Sequence, residues 1–292
     1  MTRFGLFAVL FVGIGCTGQG DGKKKGDKSA ARQCDGVGPS QVLLTRQVTF
    51  SRMDDALEVS PGFDLDGFVG STSDPRGCYV EDFVDPEGVE GIDNSMARLL
   101  PVLETTEAAV LEPLVQDSIN GGALLLMVEM TDLDNTVDDD CVDVDIFKGV
   151  GQPMIGNDGW LLPNQTVVLD PDSPVTPTSS SMINGRLDAG PIDVIALPIQ
   201  VLDLDTTLEL FDARIRLEEN EDGSWSGLMA GGLLVDAIVE TATLQNIDPA
   251  VFDLIEPVLF AVSDLDPDDS GTCQQLSVTM ELDMVPAFVY EE

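Results

Sequence analysis

Between Gly122 and about Leu228 the chain repeats its hydrophobic residues with a period of two, and this limits the fold more than any other feature of the sequence. ALLLMVEM, CVDVDIF, TVVLD, INGRL, IDVIALPIQVLDLDTTLELF and ARIRLEE are short alternating or β-branched runs separated by Gly, Pro, Asn and Asp clusters. Successive side chains on a strand point to opposite faces, so these runs fit a sheet with one buried face and one wet face. In CVDVDIF, for example, Val142, Val144 and Ile146 fall on one face and Asp143 and Asp145 on the other. Asn220-Glu221-Asp222-Gly223, between ARIRLE and SWSGLM, is a hairpin signal. The pattern predicts a mainly β fold with accessory helices, an antiparallel β-sandwich or barrel-like single domain.

Helical periodicity occurs in two places. Leu99, Leu100, Leu103, Val110, Leu111, Leu114 and Val115 share a face interrupted by Pro101 and Pro113, which predicts one kinked or two short helices from Ser95 to Ser118, with Asp93-Asn94 as the N-cap. GGLLVDAIVETATLQ and PAVFDLIEPVLFAV read as two more, the second with Pro249 in its first turn. Strands are expected from about Val42 and again in CQQLSVTMELDMVPAF near the end.

The N-terminus carries an address. Arg3 precedes an apolar run, Phe4 to Ile14, that has the length of a signal-peptide core and is too short to span a bilayer. The run ends in Gly13-Ile14-Gly15-Cys16, which resembles the lipobox of bacterial lipoproteins, with Gly13 where that pattern prefers Leu. The resemblance implies that Cys16 is acylated and becomes the mature N-terminus. Thr17 follows where an Asp would resemble an inner-membrane retention signal, so the expected place is the outer membrane, on its periplasmic face or at the cell surface. The expected organisation is a signal peptide over 1–15, a flexible tether over 16–40 and a β-rich globular domain over 41–292.

Charge narrows the chemistry. The chain has 53 acidic and 14 basic residues and no histidine, and beyond Gln33 only 8 basic residues face 51 acidic ones. Nucleic acid is an unsuitable partner for such a chain, because phosphate binding needs clustered cations. Without histidine, the Ser-His-Asp and Cys-His triads and the HExxH zinc site are unavailable. Carboxylate chemistry and hard-cation binding remain. Paired carboxylates could serve a glycosidase, but 2 Trp and 2 Tyr offer few platforms for sugars.

Two acidic segments are calcium candidates. Asp266, Asp268 and Ser270 place oxygens at positions 1, 3 and 5 of a loop with Gly271 at position 6, the opening spacing of a calcium loop, although Ser277 stands where the closing Glu belongs. Asp132 and Asp134 begin a dense run that continues through Asp138, Asp139 and Asp140. The competing reading of both is a solvated acidic loop. Cys34, Cys78, Cys141 and Cys273 are even in number and too far apart for a CxxC metal site, so two disulfides are expected, with all three pairings open.

Three stretches together resemble outer-membrane lipoproteins of myxobacteria and related deltaproteobacteria: Gly62 to Gly67, Asp82-Phe83 through Gly91-Ile92-Asp93-Asn94, and Asp266 to Ser277 with Gly271 and Cys273. That family lends no activity. The expected function is a lipid-anchored envelope protein, not an enzyme, whose β-rich domain has a structural or ligand-binding role with weak calcium binding. The alternatives are a carboxylate-dependent hydrolase of the cell envelope and a carrier of apolar molecules under the GGLLVDAIV and FDLIEPVLFAV helices.

Overall fold

The computed structural model describes residues 34, 38–54, 56–105, 111–201, 204–244 and 249–290. In chain order the strands are β1 (Ser40–Phe50), β2 (Phe83–Val84), β3 (Glu90–Ile92), β4 (Leu125–Thr131), β5 (Asp139–Val150), β6 (Thr166–Leu169), β7 (Thr176–Ile183), β8 (Arg186–Val201), β9 (Leu204–Glu219), β10 (Trp225–Leu234), β11 (Leu265–Pro267) and β12 (Cys273–Tyr290). The helices are α1 (Met96–Leu103), α2 (Leu111–Asn120), α3 (Val235–Leu244) and α4 (Pro249–Val262).

Eight strands close into an antiparallel barrel in the order β1-β4-β5-β7-β8-β9-β10-β12, with β12 pairing back onto β1. Of the sandwich and the barrel that period-two alternation allows, the chain forms the barrel. Closure leaves no free sheet edge on the ring, and an eight-stranded ring is just wide enough for side chains to fill. The filling is apolar: Val142, Val144 and Ile146 point in from β5, Ile215 and Leu217 are buried on β9, and Leu282 and Met284 on β12. Asp143 and Asp145 lie on the wetter face, as the alternation requires. Glu281 and Asp283 flank Leu282 in the same way, so these outward faces are polar, the reverse of a barrel that crosses a bilayer.

Helix α2 packs against both β1 and β8, which stand on opposite sides of the ring, so it lies across one mouth of the barrel. Ile119 enters the core, and Gln116 Nε2 donates to the Arg46 carbonyl at 3.1 Å. The apolar block after β10 also joins the core, through Val235, which is fully buried, and Leu259.

Two local expectations are corrected. Gly231 to Leu234 belong to β10 rather than to a helix, because this strand is paired on both sides, Gly232 facing Phe211 of β9 and Ser277 of β12. An apolar run buried on both faces lacks the alternation that separates strand from helix. Asp93 and Asn94 do not cap α1; its N-cap position is Ser95, and no side chain caps it. Asn94 turns inward, donating to Ser60 Oγ at 2.8 Å and accepting from the Thr279 amide of β12 at 3.1 Å.

The two expected disulfides are present. Cys34 pairs with Cys141 of β5, which ties the start of the domain to the barrel wall, and Cys78 pairs with Cys273 at the start of β12.

Candidate metal centre

Between β1 and α1 the chain makes an excursion over residues 51–95 that covers the outer face of β12. The first half of β12 is therefore buried on both sides, with Ser277 and Thr279 as inaccessible as Leu276 and Val278. A buried hydroxyl needs partners, and Ser277 finds them in the excursion and in Asp264, whereas Thr279 Oγ1 is buried without one. Ser95 donates its amide to Ser277 Oγ at 2.7 Å and its hydroxyl to Asp264 Oδ2 at 2.9 Å, while Asp264 Oδ1 accepts from the Ser277 amide at 2.9 Å. Gly62 sits where the excursion presses on the barrel: a Cβ there would lie 2.6 Å from Ile92 Cγ2 and 3.0 Å from Thr279 Oγ1.

Beside this polar seam the excursion folds back on itself. Phe63 and Asp93 pair as an isolated bridge, the Asp93 amide donating to the Phe63 carbonyl at 2.9 Å. That pairing brings Asp64, Asp66 and Asp93 together, with one carboxylate oxygen of each within 4.8 Å of the others. Backbone amides fix all three side chains: Leu65 N–H donates to Asp93 Oδ2 at 2.6 Å, Gly67 N–H to Asp64 Oδ1 at 2.6 Å and Phe68 N–H to Asp66 Oδ1 at 3.1 Å. Gly91, at φ +84°, keeps the chain close to them; a Cβ there would meet the Phe68 carbonyl at 3.3 Å and the Asp64 carboxyl carbon at 3.7 Å. Asp93 is 1% exposed, and its Oδ1 is buried without a hydrogen-bond partner.

The electrostatics are unfavourable as they stand. Two carboxylate charges 4.8 Å apart repel by roughly 3 kcal/mol at an effective dielectric of about 20. Burial, followed by the nearby Asp264 and Asp66, pushes the Asp93 carboxyl up to about 9. Partial burial, followed by Asp82 and Asp64, pushes Asp66 up to about 6. Asp82, whose Oδ2 accepts from the Gly70 amide, is raised to about 6 by burial and then by Asp264. Burial also raises Asp264, against the opposing hydrogen bonds from Ser277 and Ser95.

Arg76 and Arg98 act on these carboxylates only through space, without an ion pair to Asp64, Asp66 or Asp93 among the described residues. Arg46, Arg52, Arg76, Lys148, Arg186 and Arg216 form ion pairs elsewhere, and among the described residues none pairs with Asp64, Asp66 or Asp93. Arg98 lies nearest the seam, but its guanidinium stacks 3.9 Å over Phe83 and donates to Ser95 Oγ at 3.2 Å and to the Glu81 carbonyl. An all-carboxylate set is hard-oxygen chemistry, suited to calcium-type ions and unsuited to zinc or copper.

The calcium candidates of the sequence lie in or beside turns, apart from these three carboxylates. Asp268 closes the turn between β11 and β12 on itself: its Oδ1 accepts from the Ser270 amide at 2.8 Å, the Ser270 hydroxyl at 2.6 Å and the Thr272 amide at 2.9 Å. Asp266 Oδ2 lies 3.5 Å from Gln275 Nε2. Asp132 Oδ1 accepts from the Gly38 amide at 2.8 Å, and the Asp134 amide donates to Asp139 Oδ2 at 2.7 Å. Neither segment joins the group of carboxylates that could share one ion. Cys16 lies outside the described residues.

Sequence reading missed Asp64, Asp66 and Asp93 as a set, although all three fall within the stretches that carry the lipoprotein resemblance. The third of those stretches meets residues that flank the second, Ser277 accepting from the Ser95 amide and Cys273 bridging to Cys78. Comparison with protein families, curated proteins and solved structures gives no match to this chain.

Proposed function

We propose that this chain is a lipid-anchored protein of the bacterial outer membrane, held through an acylated Cys16, whose barrel is a structural or ligand-binding domain of the envelope. The observation that supports this reading best is the pair of disulfides. They cross-link residues 107 and 195 positions apart and belong to an oxidising compartment, which agrees with the export signal read from Phe4 to Cys16. Cys34 binds the domain to the tether's end, and the 18 steps from Cys16 reach at most about 60 Å, enough to hold the barrel clear of a lipid surface. The polar outward faces of β5 and β12 support attachment by a lipid rather than by the barrel wall.

The carboxylates favour binding over hydrolysis. A general acid must touch the leaving group, and Asp93 is 1% exposed beneath the Leu65 backbone. A carrier role has less support, since the cavity between β9, β10 and α3, lined by Leu208, Phe211, Leu233 and Ile238, is about 30 Å³. That volume holds about two waters.

Metabolic labelling with a fatty-acid analogue tests the anchor. Label should enter the wild-type chain and be absent from Cys16→Ser, which should also leave the membrane fraction. Equal labelling of both would overturn the reading.

A further inference from the structure

We infer that Asp64, Asp66 and Asp93 form a calcium site that clasps the excursion over residues 51–95 against the barrel. The site does not depend on the membrane anchor, and it is not either of the acidic loops whose spacing suggests calcium.

Distance is the first ground. Oxygens bound to one calcium ion at 2.3–2.6 Å are at most about 5 Å apart, and the three Asp oxygens lie within 4.8 Å of one another. The second ground is the state of Asp93. A buried acceptor without a partner is uncommon and needs an explanation, and Asp93 Oδ1 is such an atom, on a side chain 1% exposed. Its other oxygen is already committed to the Leu65 amide, so the orphan is not a matter of a side chain turned the wrong way. A cation seated among the three carboxylates supplies what Oδ1 lacks.

The third ground is preorganisation. Amides of Leu65, Gly67 and Phe68 hold one oxygen of each carboxylate, as the outer shell of a metal site does for its ligands. Asp66 is exposed and Asp64 half-buried, so an ion enters from the solvent side and keeps water there to complete its shell. Three carboxylates with water suit calcium, which tolerates six to eight ligands in irregular arrangements, better than magnesium, which demands a near-ideal octahedron and gives up its waters reluctantly.

The consequence is mechanical. Asp64 and Asp66 belong to the outgoing limb of the excursion and Asp93 to its return, immediately before Asn94 and Ser95 join β12 and Asp264. Calcium would bridge the two limbs at the point where they meet the barrel.

The test is calorimetric titration of calcium chloride into the full chain, purified in detergent and stripped with a chelator, at constant ionic strength. One saturable site is expected. Asp93→Asn and Asp66→Asn should each weaken it at least tenfold, and Asp268→Asn, in the β11–β12 turn, should leave it unchanged. Asp66 is exposed, so its variant keeps the test informative where Asp93→Asn fails to fold. No saturable heat, loss of binding in Asp268→Asn alone, or equal affinity for magnesium would each overturn the assignment.

Discussion

The Leu65 amide donates to Asp93 Oδ2 at 2.6 Å, joining two turns 28 residues apart. This bond orders a buried carboxylate and leaves its second oxygen, Oδ1, without a partner. In a domain where acidic residues outnumber basic ones by 51 to 8, few cations are at hand for a buried carboxylate, and Arg98 is shared among Asp264, Asp82 and Asp93. The same surplus explains why Asp264 is satisfied by hydroxyls and an amide from Ser95 and Ser277.

Asn94 should be more important to stability than its place beside a helix suggests. Its side chain, fully buried, connects Ser60 of the excursion with the Thr279 amide of β12. Asn94→Ala leaves that amide unpaired, at about 1 to 3 kcal/mol, and removes the bond to Ser60 Oγ, whose hydroxyl keeps the Pro61 carbonyl at 3.4 Å. Denaturant unfolding should show a loss of about 2 to 4 kcal/mol, with a smaller loss in Asn120→Ala at the end of α2. Equal losses would contradict a special role for Asn94 in joining the excursion to β12.

The fold was legible where the sequence alternates and obscure where it does not. CVDVDIF announces β5 because one of its faces is wet, whereas Gly231 to Leu234 has no wet face and resembles a helix start. Four cysteines announce two bridges, but which pairs form depends on β5 and β12 being placed beside Cys34 and Cys78. The candidate site was harder still. The Asp266 to Gly271 spacing suits both a calcium loop and a turn closed on its own aspartate, and here the turn takes Asp268. Asp64 and Asp66 gain their partner only through the Phe63–Asp93 bridge, a tertiary contact between two turn-rich stretches with no common periodicity.

Stability without calcium should fall as pH rises. Asp93 moves from an ordinary value of 3.8 to about 9 in the fold, and Asp66 and Asp82 to about 6. A carboxyl raised in the fold holds a proton that the unfolded chain releases, so its stabilising contribution is complete below 3.8 and is lost progressively as pH climbs to about 9 for Asp93. Calcium needs the ionised forms, so the gain it gives should grow in the same direction. Calorimetric melting at pH 5 and pH 8, in chelator and in millimolar calcium, should show a larger calcium-induced rise at pH 8. A rise as large at pH 5 would contradict the titration of these groups.

The most direct measurement is an anomalous difference map from crystals of the chain soaked in terbium, a calcium substitute with strong scattering. The account predicts a peak in contact with carboxylate oxygens of Asp64, Asp66 and Asp93, absent from crystals of Asp93→Asn. A map with no peak there, or with its only peak in the Asp266 to Gly271 turn, would contradict it.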